Sequence, residues 1–471
     1  MPRTRTPLTI ANIREHIVGV DARVPLLDGS SRTYVNFDNA ATTPALRPVM
    51  ECVDEFLGWY SSVHRGAGYK SQLSTRIYEQ TREIVLDFVG ADPERYTVIY
   101  GKNSTEALNK VARGLHFAPG DVILTSLMEH HSNLLPWRGC AQVVHIEPTV
   151  EGGLDESSLD ALLEQYAGRV RLVAITGASN VTGTLTPYAR VAAKAHAAGA
   201  RFCLDAAQLA PHHPIRMCPA NADEQIDFLV FSGHKLYAPF GIGALVCRRD
   251  ALDNPPVVVG GGTVRFVTPN SADWSGLPDR EEAGSPNVVG AVATAKALRC
   301  LKEIGMEAVH AHECELTAYL LSQLALVPRV RIYGIADPAR VHEKVDVVPF
   351  EVEGMSHVLV AAILSAEAGV AVRNGTFCAQ PYVRRLLGLS ETQIEQTHQQ
   401  VMEGSLANLP GLVRVSFGLY NTREEIDWFI ENLHRVVTGQ YRGAYHLDSR
   451  SGDYRAAGWN PDFTSDFSLQ D

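Results

Sequence analysis

Between Asp38 and Gly305, short runs of β-branched and apolar residues alternate with segments of helical period. Seven runs read as strands: Thr97–Tyr100, Asp121–Ser126, Gln142–Ile146, Arg171–Thr176, Arg201–Leu204, Phe228–Phe231 and Gly243–Cys247. After the first of them, Thr105–Leu115 places Leu108, Val111, Ala112 and Leu115 on one stripe, the pattern of a helix with one face against a sheet. Alternation of this kind predicts an α/β fold, a mostly parallel sheet covered by helices.

Beyond Asn287 the pattern changes. Two long helical segments, Val288–Ile304 and Met306–Leu326, lead into runs at Val330–Tyr333, Val347–Val352, Val370–Arg373 and Val413–Phe417. These predict a large domain over 38–305 and a smaller C-terminal α/β domain over 306–437. The last helix, Arg423–Val437, follows Asn421 and Thr422, either of which can cap it. Residues 1–37 are too few to fold alone and are expected to pack on the smaller domain. The tail, 438–471, is polar but carries Tyr441, Tyr445, Tyr454, Trp459, Phe463 and Phe467, so an extended segment lying on the body is expected.

Composition narrows the function classes. The chain has 471 residues, 45% hydrophobic and 20% charged, enough to bury a large core. A net charge of -11 without a dense basic run argues against nucleic acid as a partner. No stretch is apolar and long enough for a membrane span, and the N-terminus lacks the apolar core of a secretory signal, so a cytoplasmic protein is expected. The eight cysteines, at 52, 140, 203, 218, 247, 300, 314 and 378, show no metal-like spacing and are expected to be reduced and mostly buried. No metal is expected at the histidine pairs either: His212 and His213 sit in a loop, and His310 and Glu313 lie three apart on a helix.

Asp205 closes one strand run, in LDAAQ (204–208), and Lys235 follows the next, in FSGHK (231–235). Ligands of open α/β sheets bind at such strand ends. Alone, the aspartate would read as a helix cap and the lysine as solvated. Together they supply what pyridoxal 5'-phosphate requires: a carboxylate to keep the pyridine nitrogen protonated and an amine to form the imine. Ser232 and His234 flank the lysine with donors suited to a phosphate. Asn103-Ser104-Thr105 opens a helix whose free amides and positive dipole end favour an anion.

Nine motifs then stand in one order: DNAATTP (38–44), SSVHRGAG (61–68), EHHSNLLPW (129–137), SNVTGTLTP (179–187), LDAAQ (204–208), FSGHKLYAPFGIG (231–243), GGGTV (260–264), EAGSPN (282–287) and AVRNGTFCAQP (371–381). Over roughly residues 30 to 437 the chain resembles the class V aminotransferase-like enzymes, and among them the second, SufS-like group of cysteine desulfurases and selenocysteine lyases. The resemblance implies the fold type I of pyridoxal-phosphate enzymes. It implies that His130 stacks on the pyridine ring and that Asn180 and Gln208 touch the ring oxygen. Ser104, Thr105, Ser232 and His234 would hold the phosphate, and Ser285 would reach the phosphate of a partner subunit, making a homodimer with shared active sites. Arg414 would grip the carboxylate of a small amino-acid substrate, with Arg373 and His64 also on active-site positions. Cys378 would attack the substrate sulfur as a thiolate and pass it to an acceptor protein.

Two departures bear on the substrate. The group's usual pair of histidines before the nucleophile is replaced by Thr376 and Phe377, and 35 residues separate Cys378 from Arg414, a longer connection than the family's. Within this insertion, about 383–410, Ser390-Glu391-Thr392-Gln393 reads as a capping box that opens an extra helix. A C–S lyase, epimerase or aminotransferase on the same scaffold, with Cys378 a bystander, and a catalytically silent scaffold are the alternative readings.

Overall fold

The computed structural model describes residues 6–64 and 66–469; Arg3, Arg5 and Arg65 of the 61–68 motif lie outside them. A seven-stranded sheet forms the centre, in the spatial order Tyr96–Gly101, Gly243–Arg248, Phe228–Ser232, Arg201–Asp205, Val170–Thr176, Val122–Ser126 and Gln142–Ile146. All pairings are parallel except those of Gly243–Arg248, which runs antiparallel to both neighbours. That strand follows Phe228–Ser232 through a loop with no crossover helix, so it can only return antiparallel. Because both faces are covered, the central strands are buried residue after residue rather than alternately.

The predicted stripe is one of the covers. In the helix Ser104–Gly114, Leu108, Val111 and Ala112 pack with Ile123, Leu172 and Phe228 of the sheet. On the other face the helix Val288–Ile304 packs against Arg47–Leu57 and Tyr69–Val89. Met306–Leu324 then leads to a second, four-stranded sheet, ordered Val330–Ile332, Val347–Val352, Leu412–Ser416, Arg373–Gly375. Its helices include His357–Ala368 and Arg423–Val437, the latter opened by a capping box between Thr422 and Glu425.

The run expected as one strand over Val370–Arg373 is two. Val370–Ala371 pairs in parallel with Val35–Asn36, whereas Arg373–Gly375 joins the four-stranded sheet. The segment before Asp38 reaches beyond the smaller sheet: Ile13 and Ile17 are buried in the core of the larger unit, and Arg14 pairs with Glu425 at 2.9 Å. The tail turns back on itself, with Tyr445–Leu447 pairing antiparallel with Tyr454–Ala456. Asp448 makes the turn by accepting from the Arg450 N–H at 2.9 Å. Tyr445 docks on Glu367 at 3.0 Å, while Phe463 and Phe467 face solvent. The insertion forms the capped helix Glu391–Met402, with no buried residue. Among the described residues no helix is long and apolar enough to cross a membrane.

Phe37 fastens the N-terminal segment to the second core. Its ring meets Phe417 edge-on at 5.2 Å and Phe429 at 5.8 Å, and its carbonyl accepts from the Ser416 N–H at 2.8 Å. Phe37→Ala is expected to cost about 3–5 kcal/mol through the cavity it leaves, and Phe37→Leu much less. Urea unfolding followed by tryptophan fluorescence checks the order.

Candidate active site

Three parallel strands end side by side at Thr176, Asp205 and Ser232, and a short turn after Ser232 carries Lys235. The amino end of the helix Ser104–Gly114 comes to the same edge. Asn103 caps it by accepting from the Glu106 N–H, and the free Ser104 N–H donates to Ser232 Oγ at 2.8 Å. This approach requires Gly243, where a Cβ would lie 2.4 Å from the Asn103 backbone. Between the strand ends and the smaller sheet lies a cavity of about 240 Å3.

Ser104, Thr105, His130, Asn180, Asp205, Gln208, Ser232, His234, Lys235, Arg373, Cys378 and Arg414 all line this cavity. His64 and Ser285 do not; they line a second cavity of about 570 Å3. In a single chain these two candidates are therefore brought to each other, but not to Lys235.

The electrostatics follow from burial. Lys235 faces the cavity with its pKa lowered to about 8, chiefly by burial and secondarily by Arg414, against the pull of Asp205, Cys378 and Asp38. Burial raises the Asp205 pKa, opposed by the Ala207 N–H and by Lys235. His130 is pushed down to about 3 by burial, Lys235, His131 and Arg414, so its ring is neutral at pH 7. The Ser132 N–H donates to His130 Nδ1 at 3.1 Å, which leaves the ring proton on Nε2. His234 is lowered to about 4, by burial first and Lys235 second.

Arg414 enters from the smaller sheet and is almost wholly buried. It donates to Asp38 at 2.9 Å and to the Asn180 carbonyl at 2.8 Å, lies 4.9 Å from the Phe377 ring centre, and keeps a buried Nε–H without a partner. Arg373 stands opposite it on the neighbouring strand, half exposed, 3.8 Å from the other Asp38 oxygen. Asn180 Nδ2 donates to the Phe377 carbonyl at 2.7 Å, and the His131 N–H to the Cys378 carbonyl at 2.7 Å.

Cys378 is exposed, the only one of the eight cysteines that is. Cys203, Cys247 and Cys300 are buried and the other four half-buried, so fewer are in the core than their small apolar character suggests. Both Phe377 and Cys378 have left-handed backbone, φ 52° and 54°, which non-glycine residues rarely adopt.

Asp38 and Phe377 act on Arg414 without having been singled out as site residues. The DNAATTP motif carried the signal for Asp38, but a carboxylate that holds another side chain has no spacing of its own. His212, Glu313 and Asp346 also meet, although they are far apart in sequence. The His212 and Glu313 side chains are 2.9 Å apart, with Asp346 3.6 Å from His212, and all three are buried. Burial raises the Asp346 pKa to about 7 and that of Glu313 well above the carboxylate range.

The cavity fits pyridoxal 5'-phosphate by its own chemistry. Gln208 leaves Oε1 buried and unpartnered, Asp205 is a buried carboxylate in need of a cation, and the Ser104, Ser232 and His234 donors stand at a helix amino end. Fold and site together define a fold type I pyridoxal-phosphate enzyme. The aminotransferase class-V family matches residues 35–429, and the chain belongs to it.

A probable cysteine desulfurase of Mycolicibacterium paratuberculosis is 36% identical over 87% of the chain, which spans 56% of that protein's length. A probable cysteine desulfurase of Streptomyces coelicolor is 34% identical over 87% of the chain and 93% of its own. Among solved structures, the apo cysteine desulfurase of Thermococcus onnurineus superposes with a TM-score of 0.77 at 32% identity, covering 93% of this chain and 100% of that one. The Escherichia coli cysteine desulfurase CsdA, in an S-sulfonic acid form, gives 0.75 at 29% identity with the same coverage.

The lowered Lys235 pKa is directly measurable. In the cofactor-free protein, acetylation of Lys235 read by peptide mass spectrometry should rise with pH through a midpoint near 8 rather than the 10.5 of an ordinary lysine, since only the neutral amine reacts. Asp205→Asn removes a group that stabilises the ammonium and should move the midpoint lower still.

Proposed function

We propose that the protein is a pyridoxal 5'-phosphate-dependent cysteine desulfurase, releasing sulfur from L-cysteine, or selenium from L-selenocysteine, to give L-alanine. The observation that carries this is the exposed Cys378 in the cavity that also holds Lys235 and Arg414. Lys235 would hold the cofactor, Asp205 its pyridine nitrogen, His130 its ring face, and Asn180 and Gln208 its ring oxygen. Ser104, Thr105, Ser232 and His234 would hold the phosphate. The bound cofactor supplies the electron sink that lets the substrate Cα proton leave.

The remaining steps belong to the chain's own residues. Arg414 binds the substrate α-carboxylate through its guanidinium fork, with Asp38 fixing the plane of the fork and Arg373 adding charge at the rim. Lys235, with a pKa near neutral, removes the Cα proton as a neutral amine and returns it as an ammonium. The Cys378 thiolate attacks the substrate sulfur; the new S–S bond forms as the Cβ–S bond breaks, leaving a persulfide on Cys378 and, after protonation at Cβ, alanine. An acceptor protein then collects the sulfur, and the exposed insertion helix Glu391–Met402 lies between Cys378 and Arg414 in sequence as a candidate docking element.

A homodimer completes the site in this reading. His64 and Ser285, gathered away from Lys235, would reach the partner's cavity. Exposed Val258, Val259, Phe266 and Val267 offer apolar surface for the contact. The chain divides into a large domain, 38–305, and a small one, 306–437, preceded by a strap and followed by a tail. Eight free thiols support a reducing, cytoplasmic setting. The C–S lyase, epimerase or aminotransferase reading is favoured by two features, the loss of both imidazoles to Thr376 and Phe377 and the insertion between Cys378 and Arg414.

Three experiments test this. Cys378→Ala is expected to reduce alanine formation from cysteine to background while keeping the cofactor's absorption, and native protein treated with cysteine should carry one added sulfur on Cys378 by mass spectrometry. Pyruvate or a keto acid in place of alanine would favour the second reading. Mixing Lys235→Ala chains with Ser285→Arg chains, each inactive alone, should restore about a quarter of native activity, because half the dimers join unlike chains and each of those holds one intact site of two.

A further inference from the structure

A recess of about 780 Å3, larger than the catalytic cavity and sharing no lining residue with it, lies beside the helices His357–Ala368 and Arg423–Val437. Its walls are the hairpin of Arg23–Pro25 and Ser31–Thr33, the helix Arg423–Val437 and the first turn of the tail. Four arginines face into it, Arg23, Arg32, Arg435 and Arg442, in a chain whose net charge is -11.

Two acids stand in the wall and Glu431 acts on Arg32 from nearby, while Arg23 donates to Ser31 Oγ at 3.1 Å, so four arginines meet three acids. Asp28 is taken by Arg442 at 2.8 Å. Glu367 is engaged by the Arg442 and Gly443 N–H groups, both at 2.9 Å, and by the Tyr445 hydroxyl at 3.0 Å. Arg32 lies flat on Trp428, 3.5 Å from the ring centre, and the ring is held in turn by a 2.9 Å bond from its Nε1–H to the Ala368 carbonyl. The Arg32 Nε–H is buried and has no acceptor. Burial lowers the Arg32 pKa; Glu431 opposes this, and the neighbouring Arg23 adds a smaller push in the same direction as burial.

We propose that this recess is a second binding site, separate from the catalytic cavity, that takes a small polyanion of the phosphate class. Planar guanidinium forks on several walls call for a ligand with several oxygens, the geometry at which arginine exceeds lysine. A walled recess of this size suits a small molecule better than an extended chain. Arg23 and Arg32 precede residue 35 and Arg435 and Arg442 follow residue 429, so all four lie outside the region that matches the family.

The test is calorimetric titration of pyrophosphate into the holoenzyme at low ionic strength, with the catalytic phosphate donors already engaged by cofactor. Saturable binding of one pyrophosphate per chain below about 1 mM is expected, weakening as salt is added. Arg435→Gln, at a half-buried position, and Arg23→Gln, at an exposed one, should each weaken it about tenfold and leave cysteine turnover unchanged; circular dichroism verifies their fold. Binding that fails to saturate in that range, or that is equal in native protein and variants, overturns the proposal. Binding of a polyglutamate peptide without binding of pyrophosphate overturns it too, in favour of an acidic protein segment.

Discussion

Everything at the catalytic edge depends on burying charge where strands end. Asp205 and Lys235 are both withdrawn from water, and each makes the other's charge less costly. That arrangement demands a sheet whose adjacent strands finish in register, Thr176 beside Asp205 and Asp205 beside Val230, because a shift of one residue would turn the carboxylate into the opposite face. Apolar strands buried on both sides supply the stiffness. The helix amino end at Ser104 supplies the positive field above the phosphate donors.

The second sheet is tied to the first through groups that are equally unsuited to water. Arg414 spans the gap to Asp38 and Asn180, while Lys344 and Asp346 precede a strand of the smaller sheet, and His212 of the larger unit meets both Asp346 and Glu313 of the helix Met306–Leu324. Two carboxylates and an imidazole packed without solvent are tolerable only if protons are shared among them, which is what the raised Asp346 and Glu313 pKa values express. Phe37 does the same joining by apolar means. It places Asp38, one residue further, within reach of the guanidinium.

Much of this was legible in the chain. The strands of the large sheet follow from runs of Val, Ile, Leu and Phe, and the structure moves their ends by a residue. The stripe Leu108, Val111, Ala112 appears as written, as does the capping box at Ser390. What periodicity does not carry is partnership. Val370–Arg373 is one apolar run, yet its halves pair with different strands because Val35–Asn36 arrives from far away in sequence. For the same reason Asp38, Phe377 and the His212 cluster were silent: each acts through a residue outside its own motif, Asp38 through Arg414, 376 positions away, and His212 through Glu313, 101 positions away. His64 and Ser285 are legible as site residues only on the premise of a second chain.

The consecutive left-handed residues at 377 and 378 carry a consequence for how this enzyme diversified. Their backbone is pinned by main-chain acceptors, the Phe377 carbonyl by Asn180 and the Cys378 carbonyl by His131, and neither bond involves the side chains at 376 or 377. The scaffold thus separates the placing of the thiol from the identity of its neighbours. Thr376 and Phe377 stand where the family's second group has two imidazoles, and the sulfur still opens onto the cavity. Positions 376 and 377 are therefore free to change, by evolution or by design, with the thiol left in place.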